Sequence, residues 1–145
     1  MKNFTEVVAT LSALTGIADL HRTDGGAVEI AIDGIGLLEI RPVPDDAIDL
    51  VCALPLSIDV RERHSLRVLL IANHLGDGTG AARVGIENHE IILSQRLAIG
   101  PLDEAGLQQA IDAFLAHAKF WSSGEVDQYL VTPPKFNFDE SILRA

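Results

Sequence analysis

Val28-Glu29-Ile30-Ala31-Ile32-Asp33-Gly34-Ile35-Gly36-Leu37-Leu38-Glu39-Ile40 is the stretch that decides the fold. Val28, Ile30 and Ile32 alternate with Glu29 and Ala31, the period of a strand with one apolar face. Asp33-Gly34 is a turn signal of the kind that joins antiparallel neighbours, and Leu38 and Ile40 carry the alternation into a second strand. Pro42 and Pro44 then interrupt the run. Ile48, Leu50, Cys52 and Leu54 alternate with Asp49 as a third strand that stops before Pro55. Three strands in succession predict a meander.

Upstream of this meander the spacing predicts a helix. Asn3 with Glu6 three residues later makes a start resembling a capping box, and Phe4, Val7, Leu11, Leu14 and Ala18 recur at helical spacing. Gly16 ends or distorts this helix. Asp24-Gly25-Gly26 separates it from the first strand.

Downstream the period changes. Asp59 with Glu62 offers a second cap, and no proline or glycine falls between Val60 and Leu75, which predicts a helix of about four turns. Its second half, Val68-Leu69-Leu70-Ile71-Ala72-Asn73-His74-Leu75, is apolar over too wide an arc for one face. Leu66, Leu69, Leu70 and Asn73 lie along one side, and Val68, Ile71, Ala72 and Leu75 along another. A helix of this kind must be covered on more than one side. The sheet of so small a domain covers one, so a second subunit is expected on Leu66, Leu69, Leu70 and Asn73, with His74 nearby.

After the glycine-rich stretch Gly76 to Gly80, Val84 and Ile86 read as a strand and Asn88-His89 as a turn. Ile91, Leu93, Gln95, Leu97 and Ile99 form one face of a further strand, with Ile92, Ser94, Arg96 and Ala98 on the other. Leu102, just before the cap Asp103 and paired in spacing with Leu107, forms a hydrophobic staple. Leu107, Ile111, Phe114, Leu115 and Ala118 continue as a helical stripe that ends near Trp121. The expected fold class is α+β, an antiparallel twisted sheet of five to six strands with three helices in the order α-β-β-β-α-β-β-α. Residues 1–121 form a single domain, and 122–145, with Pro133-Pro134, Phe136 and Phe138, form a partly extended or flexible tail.

Composition sets further bounds. The 145 residues suffice for one core, and 21 acidic against 11 basic side chains give a net charge of −10. Nucleic acid and anionic membrane both demand a cationic surface, so neither is an expected partner. The single cysteine, Cys52, excludes an intrachain disulfide and suits a reducing compartment. No signal peptide or membrane-spanning run is read, so a cytoplasmic location is expected.

Catalytic chemistry finds little purchase. The five histidines, His21, His64, His74, His89 and His117, never reach the close spacing of a zinc site. Gly76-Asp77-Gly78-Thr79-Gly80 closes a helix and leads into a strand, the reverse of a phosphate loop, and it lacks the Gly-Lys-Ser/Thr ending. Ser57, Ser65 and Ser94 have no nucleophile elbow, and Asp45-Asp46 and Asp103-Glu104 read as turn and helix-start acids. No catalytic, cofactor-binding or metal-ligating residue is assigned, and no cofactor is expected.

The ordered motifs resemble the class I type III secretion chaperones, the CesT-like (Tir chaperone) family of small acidic bacterial cytoplasmic proteins. Asp24-Gly25-Gly26 through Asp33-Gly34 looks like that family's glycine turn and Asp-Gly hairpin, and Leu69-Leu70-Ile71-Ala72-Asn73 is similar to its Leu-Leu-x-x-Asn helix. Leu93-Ser94-Gln95-Arg96-Leu97 resembles its Leu-Ser-x-x-Leu strand. Leu102-Asp103-Glu104-Ala105-Gly106-Leu107, continued by Phe114, Ala118 and Trp121, looks like its closing helix. Gly106 departs from the charged residue common there, and the tail after Ser122 has no counterpart.

The resemblance implies a homodimeric chaperone that uses no ATP and holds the N-terminal segment of a secreted effector in extended form. An extended segment is held by strand edges and shallow apolar grooves. The sheet face free of helices would present Ala31, Leu38, Val51 and Ile92, although a one-residue register shift reverses the face. An adaptor of the same fold with a non-secreted partner, contacted through Phe136 and Phe138, is the alternative reading.

Overall fold

The structure is a computed structural model, and it describes residues 1–56, 62–76 and 79–123. The elements in chain order are α1 (Phe4–Thr15), β1 (His21–Arg22), β2 (Val28–Ile32), β3 (Gly36–Val43), β4 (Ala47–Ala53), α2 (Arg63–Asn73), a 3-10 turn (His74–Gly76), β5 (Arg83–Glu87), β6 (Glu90–Ala98) and α3 (Glu104–Ser122). The strands form one six-stranded antiparallel sheet in the order β1-β2-β3-β4-β6-β5. The expected α+β architecture is present, with the two-residue β1 as the sixth strand.

Local chemistry accounts for the boundaries. The Asn3 side chain accepts from Glu6 N at 3.0 Å, and the Glu6 carboxylate accepts from Lys2 N at 2.8 Å, so two donors at the start of α1 are satisfied reciprocally. Gly16, in the left-handed region, closes α1 and leaves Ala18 outside it, exposed rather than on the helical stripe. At α3 the Asp103 carboxylate accepts from Gly106 N at 2.7 Å. A Cβ on Gly106 would come within 3.1 Å of that carboxylate and 3.4 Å of Leu102, so the cap and the staple together leave little room for a side chain.

Two sequence expectations need correction. Pro42 does not interrupt β3, which runs to Val43. Pairing with β2 ends at Ile40, so Pro42 sits where β3 has only β4 beside it, a position that tolerates a missing N–H. The central helix is also shorter than expected. It spans 11 residues, and its N-cap Glu62 makes no side-chain cap bond; the expected cap Asp59 lies outside the described residues, as does the tail from residue 124. Asn88 and His89 both adopt positive φ, 51° and 68°, the geometry of a two-residue type I′ hairpin.

The sheet divides by parity. Val28, Ile30, Leu38, Ile40, Ile48, Leu50, Cys52, Ile91 and Leu93 point to one face, where Val7 and Leu11 of α1 and Leu107, Phe114, Ala118 and Trp121 of α3 complete the core. Leu69 of α2 joins the same cluster. The other face carries Glu29, Ala31, Leu37, Glu39, Arg41, Asp49, Val51, Ala53, Ile92 and Arg96, and no described helix lies over it. Gly80, at φ +60°, rests against α3 so closely that a Cβ there would collide with the His117 ring. That contact and the helix-closing position of Gly76 explain these glycines without a phosphate.

Candidate binding surfaces

Three surfaces carry apolar groups or unpaired backbone toward solvent. The first is a groove of about 200 Å³ between α1, α3 and the β2–β3 end of the sheet, lined by Leu11, Leu14, Ile30, Ile32, Ile111 and Leu115 among others. Leu38 also borders it, although only 1% of that residue is exposed. Leu38 therefore belongs to the covered side of the sheet and not to the open face expected from the sequence. The doublet Leu37-Leu38 is the cause: either leucine continues an alternating pattern, and Leu37 is the one turned to the open face, 55% exposed. The groove adjoins a free edge, because β1 pairs only with Val28 and Glu29 and, among the described residues, no strand pairs with Ile30 to Ile32 on that side.

The second surface is α2 and the neighbouring strand β5. Leu70 is 72% exposed and Ile71 is exposed beside it, while Leu66 is half-buried. Leu69 and Asn73 are committed within the subunit. Leu69 lies in the core, and the Asn73 amide grips the backbone of Val84, donating through Nδ2 to its carbonyl at 2.8 Å and accepting its N–H on Oδ1 at 2.7 Å. The side chain thus imitates a strand residue on the outer edge of β5. Nothing local in the sequence announces this contact, since its partners lie eleven residues apart.

The open face is the third surface. Ala31 is exposed on it, Ile92 is half-buried, and Val51 is buried to 5% although no described helix covers that side. An ion-pair bridge explains Val51. Arg41 donates from Nη1 to both Glu87 carboxylate oxygens at 3.0 Å, from Nη2 to Glu39 at 2.9 Å, and its Nε lies 2.9 Å from the other Glu39 oxygen. The hydrogen bonds that Arg41 donates to Glu39 and Glu87 raise its pKa above the ordinary value. The ladder registers put Arg41 and Glu87 three strands apart and six residues out of step, on the order of 25 Å on a flat sheet. Only a strongly twisted sheet, concave along that diagonal, lets the pair meet. Val51 and Ile92 lie along the line that the bridge follows.

Beside the bridge a trough of about 280 Å³ opens over Leu37, Val51, Ala53 and Ile92. Across the same face Arg96 clasps Asp49 with two bonds of 2.8 Å, and this hydrogen bonding holds the Asp49 carboxyl below its usual range. In the sequence, Glu39 and Arg41 alternate with core residues, which marks their shared face; their long-range partner Glu87 carries no such mark. Among the described residues no helix is long and apolar enough to cross a membrane, and no group of three or more histidine, cysteine or acidic side chains is placed to hold a metal ion.

Known proteins share this fold. The ExsC–ExsE complex contains a chain 17% identical, with a TM-score of 0.68 over 85% of this chain and 96% of that one. The HopA1–SchA chaperone–effector complex gives 15% identity and a TM-score of 0.67, covering 83% and 93%. The Yersinia pestis type III secretion chaperone SycH, solved with a fragment of YscM2, gives 15% identity and a TM-score of 0.63, covering 83% and 100%. No relative is found among curated protein sequences. These structures share the fold, and the sequence itself matches a family description across residues 6–122, from the first turn of α1 to the end of α3. The chain belongs to the Tir chaperone protein (CesT) family.

Proposed function

We propose that this protein is a homodimeric, ATP-independent chaperone of the bacterial cytoplasm that holds the N-terminal segment of a type III secretion effector in extended form for delivery to the secretion apparatus. Family membership supports a chaperone role, and the HopA1–SchA chaperone–effector complex contains a chain of the same fold. The observation that carries the reading is the free edge of β2 at Ile30 to Ile32 beside the α1–α3 groove. A chain added to that edge gains main-chain hydrogen bonds. Every second side chain then falls on the groove side, where Leu14, Ile111 and Leu115 wait, and the others fall toward Ala31. Such recognition uses no covalent step and no nucleotide.

The dimer is assigned to α2 through Leu66, Leu70 and Ile71, with Leu69 and Asn73 supporting the helix from behind. Leu70→Glu is expected to give a folded monomer by light scattering, whereas Leu69→Glu, a charge placed in the core, is expected to unfold the domain. The direct test of function is co-purification of the full chain from native cytosol without nucleotide. A secreted protein whose N-terminal segment suffices for capture is the expected partner, and Leu115→Arg should release it. Capture of a partner that is not secreted would reassign the protein as an adaptor, and a wild-type chain that traps no protein would overturn the chaperone role.

A further inference from the structure

We propose that the trough on the open sheet face is a second peptide seat, selective for an extended segment that carries basic and apolar side chains two residues apart on one side, and that such a segment displaces Arg41. The proposal rests on the chaperone reading only in that the partner is a polypeptide.

The floor is apolar, formed by Leu37, Val51, Ala53 and Ile92, and Leu37 is more than half exposed on it. The rim is acidic. Glu29, Glu39, Glu87 and Glu90 surround the floor, and among the described residues Arg41 is the one lysine or arginine lining the trough, so four carboxylates face one guanidinium. A partner with basic side chains finds complementary charge there, and an acidic one is repelled.

The face also shows what it can bind, because Arg41 is already seated across it. Glu39 takes two nitrogens of that guanidinium, and Glu87 takes the third with both of its oxygens. An incoming arginine that replaces Arg41 on these carboxylates exchanges one fork of charged hydrogen bonds for another, so opening the bridge loses little. Arg41 is itself one-third exposed and has solvent to enter when it leaves. What is gained is apolar: residues two places from the arginine share its side of the extended segment and reach Leu37 and, with the bridge lifted, Val51. Lysine has no planar fork and substitutes less well.

The test uses the 145-residue protein and two synthetic peptides, one carrying arginine and leucine in turn at every second position with serine between them, and one with glutamate in place of arginine. Binding is read by fluorescence anisotropy and amide chemical shifts. The arginine peptide is expected to shift Leu37, Ala53 and Ile92, and to bind about tenfold more weakly in high salt than in low. Glu87→Gln and Leu37→Asp should each weaken it several-fold. Arg41→Ala, by removing the competitor, should tighten it. Equal binding of the glutamate peptide, weaker binding by Arg41→Ala, or shifts confined to Leu14, Ile111 and Leu115 would overturn the proposal. Effector capture distinguishes the two readings: a wild-type chain that captures effector but shows none of the trough shifts removes this seat and leaves the chaperone role standing.

Discussion

The two faces of the sheet are built from alternate residues of the same strands, and they have opposite chemistry. On the covered face Val28, Ile40, Ile48, Leu50 and Leu93 are wholly buried under α1 and α3, and none carries a polar side-chain atom. On the open face Glu39, Arg41, Asp49 and Arg96 are tied into ion pairs around a small apolar floor. Each apolar side chain on the covered side adds to stability. Their equivalents on the open side are left where another chain can reach them. A strand therefore separates folding from recognition by parity alone, and an error of one residue exchanges the two.

The contrast is sharpest in paired truncations. Leu50→Ala on the covered face is expected to cost about 2–5 kcal/mol in urea unfolding, and Leu37→Ala on the open face within about 0.5 kcal/mol. A comparable loss at Leu37 would mean that the open face is covered in solution. Next in size is Asn73→Ala, which leaves the Val84 N–H and carbonyl without their side-chain partner. A loss of about 1–3 kcal/mol is expected, with faster hydrogen exchange at the Val84 amide.

A smaller effect concerns acid. The Asp49 carboxyl in the folded protein lies below its unfolded value because Arg96 hydrogen-bonds it. Its contribution is fully present above the unfolded pKa and disappears as pH falls through the lower, folded one. Thermal melts of Asp49→Asn and wild type should therefore converge at low pH and separate above it. The covered face gives the last readout. Burial pushes the Cys52 thiol up to about 11, so a thiol reagent at neutral pH should label it only after denaturant is added.

Much of the scaffold was legible because its signals are local. Asn3 with Glu6, Leu102 with Asp103, Asp33-Gly34 and Asn88-His89 each report on a few neighbouring residues, and all four sit in the expected caps and turns. Facing was harder to read. Leu37-Leu38, Val51-Cys52 and Ile91-Ile92 are adjacent apolar pairs in which either member continues an alternating pattern, so the open-face set drawn from sequence included Leu38. The α2 surface divided differently from its helical wheel, with Leu69 in the core and Leu70 exposed, because one turn of that helix packs inward and Asn73 docks on β5. The Arg41–Glu87 bridge depends on sheet curvature, which no short window of sequence encodes.

The Asn73 clamp on Val84 also bears on how these molecules meet one another. A sheet with two receptive edges can be extended without limit, each copy serving as template for the next, which is the geometry of a fibre. Here the β5 edge is plugged at Val84, near its start, while among the described residues no strand pairs with Ile30 to Ile32 on the β1 side of β2. A second copy that approached β5 would find the outward N–H and carbonyl of Val84 already taken and could not pair there. For a protein whose proposed task is to keep another chain extended and loaded with apolar groups, one amide side chain thus removes part of an edge on which copies could otherwise pair.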